Sequence, residues 1–214
     1  MHGLIRRCSL LDRHYSIGCF CYTSSMIKAL IFDCFGVFYI DPVFAYMGDP
    51  ATPAKKAEAL HTLDKQAAVG ALNRQGFVAQ AASLLGISEN DAQQRFFQSS
   101  ERNEPLLELV KGLRKSYKVA MLSNIGGDMM DGFFTPEERQ QLFDAVVLSG
   151  DVKLAKPDRA IFELTCKRLG VELHEAVMID DMQTTCNIVK TFGMQSVCYK
   201  DFEQCRAELA AILA

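Results

Sequence analysis

Asp180 and Asp181 stand side by side at the end of the apolar run 176–179 (AVMI). Neighbouring carboxylates repel one another unless a cation or hydrogen bonds compensate. Mg2+ is the obvious cation, because it takes one or two protein carboxylates together with water and substrate phosphate oxygens. A third carboxylate, Asp33, ends the apolar run 28–32 (KALIF) and is followed by Gly36 in IFDCFGVF. That setting surrounds it with backbone N–H groups. A carboxylate so placed can be a covalent nucleophile toward phosphorus, giving an aspartyl phosphate that water later hydrolyses. Plainer readings stand beside these: Asp33 as the cap of a turn, and the acidic pair as the N-cap and first turn of a following helix.

Ser123 and Asn124 close the next apolar run in MLSNIGG, and their short polar side chains suit phosphate oxygens. The same dipeptide is also ordinary turn chemistry. Lys156 precedes Pro157 in KLAKPDRAIFE, where a fixed turn before a helix would hold its ammonium group over an anion; a solvated surface lysine is the alternative. Each motif alone is compatible with a structural role. Four of them at the ends of successive apolar runs point to one shared site.

Such a site needs a frame that gathers residues far apart in sequence. Nearly continuous apolar runs at 28–32, 119–122, 145–148, 176–179 and 195–199 read as strands buried on both faces of a parallel sheet. Helical patterns fall between or after them at 136–144, 158–169, 184–192 and 201–213. This alternation predicts an α/β fold with a doubly wound parallel sheet, whose ligand site lies at the carboxyl ends of the strands.

Between the first two strands, 42–105 is helical in pattern throughout. Thr52 and Pro53 suit an N-cap followed by proline at the first helical position, Gly70 and Gly86 end helices over 54–69 and 73–85, and Ser88 with Asp91 caps a helix over 89–98. Pro105 opens a return helix to the core. The insertion is too large for a simple crossover, so it is expected to form a helical cap over the crevice, excluding water and choosing the substrate.

Composition narrows the partner. The chain has 214 residues, 49% hydrophobic and 23% charged, with a formal net charge of −3, which fits one core domain plus an insertion. Its Lys and Arg residues are scattered, so nothing suggests an electrostatic nucleic-acid surface and a small-molecule partner is favoured. The eight cysteines form no CxxC pair or zinc spacing and read as reduced thiols of a cytoplasmic protein. Residues 1–25 contain no apolar run long enough to span a bilayer. They read as an N-terminal extension rather than a targeting peptide, with Met26 as an alternative start of translation.

The order Asp33 with Gly36-Val37, Ser123-Asn124, Lys156-Pro157, then Asp180-Asp181 followed by Gly193-Met194 resembles the haloacid dehalogenase superfamily over about 26–200. The resemblance is closest to its phosphatase branch with a helical cap between the first two motifs, including the sugar-1-phosphate phosphatases. It implies a Rossmann-like catalytic core at 26–41 and 106–214, a cap at 42–105, Mg2+, a small phosphorylated metabolite as substrate and no nucleic-acid or membrane partner. Asp33 would attack phosphorus, Ser123, Asn124 and Lys156 would hold the substrate phosphate, and Lys156 would count among the catalytic groups. Asp33, Asp180, Asp181 and the backbone carbonyl of Phe35 would hold the metal.

Phe35 is also the main departure, because most phosphatases of the superfamily carry a second Asp there as general acid and base. Such help is worth roughly 10²–10⁴-fold in rate. Three readings follow: a phosphatase that acts on good leaving groups or takes its proton from water or a cap residue; a haloacid dehalogenase, whose leaving halide needs no proton; and a catalytically impaired binding or regulatory protein. A smaller departure is Thr185, where the family often has Asn.

Overall fold

The computed structural model of the chain describes residues 26–98 and 100–214; the extension expected at 1–25 lies outside them. The apolar run ALIF forms β1 (Ala29–Phe32), buried along its whole length. It pairs in parallel with β2 (Lys118–Ser123) on one side and β4 (Ala176–Asp180) on the other. The chain adds β3 (Ala145–Leu148) outside β2 and β5 (Gln195–Cys198) outside β4, so the five-stranded parallel sheet runs β3-β2-β1-β4-β5. The winding direction reverses between β1 and β4, and the crevice at such a reversal is where sheets of this kind bind ligands. Phe32 pairs with Ile179 in this register, which brings Asp33 next to Asp180 at the crevice.

Side chains alternate across the sheet. Leu30, Phe32, Val119, Met121, Val177 and Ile179 face one core, shared with α5 (Glu104–Leu113), α7 (Pro136–Leu142) and α11 (Phe202–Leu213). Ala29, Ile31, Ala120, Leu122, Ala176 and Met178 face the other, covered by α9 (Arg159–Leu169) and α10 (Gln183–Thr191). Strands buried on both faces are apolar on both faces, which is why their sequences read as unbroken runs.

Two short helices were not expected: α6 (Gly127–Met130) behind the Ser123 loop and α8 (Ser149–Val152) after β3. Neither is long enough to show a helical period in sequence. The helix expected at 136–144 stops at Leu142, because Phe143 turns extended and buries its ring.

The insertion holds α1 (Pro42–Gly48), α2 (Ala54–Ala68), α3 (Arg74–Leu85) and α4 (Glu89–Phe97). Asn73 accepts from the Gly76 N–H at the start of α3, Ser88 accepts from the Asp91 N–H at the start of α4, and Gly86 ends α3 in the left-handed region. Thr52 does not cap α2. Its hydroxyl donates to the Tyr46 carbonyl at 2.7 Å, and Pro53 takes the cap position. The cap buries Leu60, Leu63, Phe77, Ala81, Ala92 and Phe96, with Phe77 and Phe96 meeting edge to face at 5.6 Å.

The insertion touches the segments that follow β2 and β3. The Ser149 hydroxyl donates to the Ala68 carbonyl, and the Arg74 N–H donates to Asp128 at 2.6 Å. Phe97 meets Phe133 of the core at 5.7 Å between ring centres. Backbone, polar and aromatic contacts thus tie the insertion to the rest of the chain at three points.

Candidate active site

Asp33 emerges from β1 with its N–H bound to the Ile179 carbonyl and its Oδ1 accepting from the Cys34 N–H at 2.7 Å. Its other oxygen, Oδ2, lies 2.7 Å from the Lys156 ammonium. The same ammonium lies 2.7 Å from Asp180 Oδ2, so one cation bridges two carboxylates. Lys156 is held there by its own backbone. Its N–H donates to Asn124 Oδ1 at 2.8 Å, and its carbonyl accepts from Asn124 Nδ2 at 3.0 Å. The Asn124 amide is therefore engaged in fixing the lysine loop against the β2 loop.

Asp180 is fully buried, with Oδ1 accepting from the Met182 N–H at 2.9 Å. Asp181 turns toward Gly36, whose backbone takes φ of +75°. Oxygens of Asp33, Asp180 and Asp181 all lie within 4.8 Å of one another. Ser123, at the end of β2, is 1% exposed, and its hydroxyl makes no hydrogen bond among the described residues. A buried hydroxyl without a partner carries a desolvation cost of about 1–3 kcal/mol unless a ligand supplies one.

The electrostatics of the protein alone are unbalanced. Burial pushes the Asp33 carboxyl up to about 7; Lys156 opposes the rise and Asp180 adds to it. Burial and Asp180 also raise Asp181. Burial alone would lower the Lys156 ammonium, but Asp33 and Asp180 together hold it above its ordinary value. Three clustered carboxylates face a single ammonium group, which contacts two of them. The donor set is all oxygen and carries excess negative charge, which fits a hard divalent cation such as Mg2+.

Asp33, Phe35, Ser123, Asn124, Lys156 and Asp181 line a single cavity of about 440 Å³, within the range of small-molecule sites. Asp180 lies beneath it and acts on it through Lys156. The roof comes from the cap. Phe77, Phe96 and Phe97 face the cavity, and Phe35 joins the wall by packing edge to face on Phe133 at 4.8 Å. Thr185, buried at the start of α10, closes the floor near Asp181.

Two further acids in the cavity escaped the sequence reading: Asp41, just before α1, and Asp64, on α2. Asp64 carried a signal. It follows Leu60 by four residues and precedes Ala67 by three, placing it on the stripe that α2 buries. Burial, with a smaller contribution from Asp41, pushes its carboxyl up to about 7. It makes no hydrogen bond or ion pair among the described residues.

Comparison with known proteins agrees with this architecture. The family model of haloacid dehalogenase-like hydrolases matches residues 27–184. The D-ribitol-5-phosphate phosphatase of Bacteroides thetaiotaomicron is 30% identical over 113 residues, 50% of this chain and 55% of that protein. The (S)-2-haloacid dehalogenase 4A of Burkholderia cepacia is 28% identical over 81 residues, 38% of this chain and 35% of that protein. The chain spans between 9% and 55% of the length of the curated relatives it matches.

Among solved structures, a haloacid dehalogenase-family enzyme of B. thetaiotaomicron in complex with magnesium and inorganic phosphate superimposes with a TM-score of 0.66 at 20% identity, covering 84% of this chain and 98% of that one. The L-2-haloacid dehalogenase of Xanthobacter autotrophicus with chloropropionic acid covalently bound gives 0.58 at 20% identity, covering 87% and 83%. At these identities the likeness establishes the fold.

Proposed function

The chain belongs to the haloacid dehalogenase-like hydrolases, and within that family we propose that it is a Mg2+-dependent phosphatase of a small phosphorylated metabolite. The observation that carries this reading is the cluster of Asp33, Asp180 and Asp181, two of them bridged by the ammonium of Lys156, with Ser123, whose buried hydroxyl has no partner among the described residues, lining the same cavity. A halide departs as an anion, and clustered carboxylates without a cation would repel it. The phosphatase relative and the neighbour holding magnesium and phosphate support the same choice.

In this proposal an Asp33 oxygen attacks phosphorus and forms an aspartyl phosphate as the bond to the leaving oxygen breaks. Ser123 donates its hydroxyl to one phosphoryl oxygen, and Lys156 donates to another while holding Asp33 in line. Asn124 positions Lys156 from below. Asp33, Asp180, Asp181 and the Phe35 carbonyl are the groups that would hold Mg2+, which when bound neutralises charge on the phosphoryl oxygens. Residues 42–105 serve as the cap and 26–41 with 106–214 as the catalytic core, the cap excluding water from the aspartyl phosphate until the alcohol has left.

The organic part of the substrate lies against the aromatic roof, so an ester with an apolar face fits best; sugars offer one through their C–H groups. We read the protein as cytoplasmic, a proposal that draws on the buried free thiols Cys34, Cys166, Cys186 and Cys205. Among the described residues no helix is long and apolar enough to cross a membrane.

Phosphate release from p-nitrophenyl phosphate and acetyl phosphate, with and without Mg2+, tests the reading. Metal-dependent turnover of either is the expected result. A second reading as a haloacid dehalogenase draws on Phe35 and on the (S)-2-haloacid dehalogenase relative. Chloride release from 2-chloropropionate without metal, and no phosphate release, would establish it instead. Failure of both reactions would leave the binding-protein reading.

A further inference from the structure

We propose that Asp64, carried by cap helix α2, is the general acid and base of the reaction, in the role that Phe35 cannot fill. The proposal rests on the phosphatase reading and deepens it. Phe35 occupies the place beside the nucleophile with an aromatic ring packed on Phe133, and a hydrocarbon ring neither gives nor takes a proton. The Lys156 ammonium is committed to Asp33 and Asp180. Asp181 belongs to the acidic cluster and Asp41 lies in the loop leading to α1. Of the acids that line the cavity, only Asp64 stands on a helix of the cap, with Lys65 beside it, on the side where the organic part of a bound ester would lie.

A proton donor to the leaving oxygen has to stand on that side. In-line attack by Asp33 expels the alcohol away from the strand ends and toward the cap. Asp33 and Asp64 line one continuous cavity of about 440 Å³, small enough for one metabolite-sized ligand to span. The neighbours of Asp64 on that helix and roof are largely apolar: Leu60, Leu63, Ala67, Phe77 and Phe96. Such surroundings disfavour the charged carboxylate and keep a proton available near neutral pH. The direction of the shift agrees: burial raises the carboxyl to about 7, with a smaller push from Asp41. The charged and titratable groups around it are His61 and Lys65 on the same helix, Asp41 from the loop before α1, and Asp33, Lys156 and Asp181 across the cavity.

The steps balance. As an Asp33 oxygen bonds to phosphorus and the P–O bond of the ester breaks, the Asp64 carboxyl gives its proton to the departing oxygen, which leaves as a neutral alcohol. The resulting Asp64 carboxylate then takes a proton from a water molecule as that water attacks phosphorus. The bond between phosphorus and Asp33 breaks, inorganic phosphate forms, and Asp64 is again protonated.

Asp64→Asn keeps the volume and removes the transferable proton. With Mg2+ present, kcat/KM for an alkyl phosphate should fall by about 10²–10⁴-fold, because its leaving oxygen needs the proton. For p-nitrophenyl phosphate, kcat/KM should change far less. Its kcat should still fall, since water attack on the aspartyl phosphate lacks a base, and a burst of nitrophenol equal to the enzyme concentration should appear. Asp64→Glu should recover part of the alkyl activity. Equal losses for both esters, or none, would overturn the role of Asp64 while leaving the phosphatase reading intact. If the wild type releases phosphate from neither ester, the reading and the inference fall together.

Discussion

A Cβ atom on Gly36 would overlap the carboxyl group of Asp181. The glycine takes φ of +75°, so its lack of a side chain serves two ends: a left-handed turn after the nucleophile, and room for an acidic side chain against the turn's backbone. Gly36→Ala should therefore cost about 1–2 kcal/mol of stability from the backbone alone. It should also displace Asp181 and lower activity by more than the loss of fold explains. Urea unfolding beside kcat at saturating Mg2+ separates the two effects. Full activity in a folded Gly36→Ala protein would show that Asp181 need not stand there.

Asp33→Asn replaces the attacking oxygen's charge with an amide of the same size. Lys156 keeps its contact with Asp180, so the cluster is not left with an unpaired buried ammonium. The variant should fold with a circular dichroism spectrum like that of the wild type and show no turnover and no aspartyl phosphate. Trapping of labelled phosphate on the protein is the direct check, and label retained by the variant would move the nucleophile elsewhere.

Removing the acidic pair should abolish the response to metal. Ligands that bind only the folded state stabilise it in proportion to the logarithm of their concentration, so the wild-type melting temperature should climb as Mg2+ is titrated in. Asp180→Asn with Asp181→Asn should flatten that climb, because Asp33 is then the sole carboxylate of the three-acid cluster. A climb of the same slope in the double variant would place the ion elsewhere.

Ser123→Ala removes the buried hydroxyl that has no partner within the described protein. Because nothing in the protein bonds to it, stability should hold or rise slightly, by up to about 1–3 kcal/mol. KM for phosphate esters and the inhibition constant of inorganic phosphate should both worsen. A marked loss of stability with unchanged phosphate inhibition would assign the hydroxyl to the fold rather than to the substrate.

The sheet and its acidic ends were legible because buried parallel strands are written as unbroken apolar runs that stop at a polar residue. Asp33, Ser123 and Asp180 sit at such stops, and the register of Phe32 with Ile179 follows from the fold they define. Asn124 was expected to hold substrate phosphate; its engagement with both backbone groups of Lys156 depends on two loops meeting, which no local pattern records. The helices α6 and α8 are single turns, too short for a period. Thr52 looked like a cap, yet the Tyr46 carbonyl, six residues back, competes for its hydroxyl. Asp64 was passed over because an acidic residue on a helix ordinarily marks a solvated face; only its alignment with Leu60 and Ala67 shows that this one turns inward.

Asp64 should also leave a mark on stability that needs no substrate. Its carboxyl stands at about 7 in the folded protein against an ordinary value of 3.8, chiefly through burial. A raised folded-state value means that the native protein binds this proton more tightly than the unfolded chain does. The stabilisation is then fully present below about pH 4 and is lost as pH rises toward and through 7. Asparagine has no proton to lose, so Asp64→Asn should gain on the wild type with rising pH. At about 1.4 kcal/mol per unit of separation, the gain between roughly pH 4 and pH 8 should be on the order of 1–3 kcal/mol for this partly exposed group. Asp33 and Asp181 also titrate high, but they do so in both proteins and cancel in the difference. Urea unfolding of the two proteins at matched ionic strength, with chelator present, measures it. A difference that stays constant across that range would mean that the Asp64 carboxyl is solvated rather than turned into the cavity, and the group could not then serve as the acid.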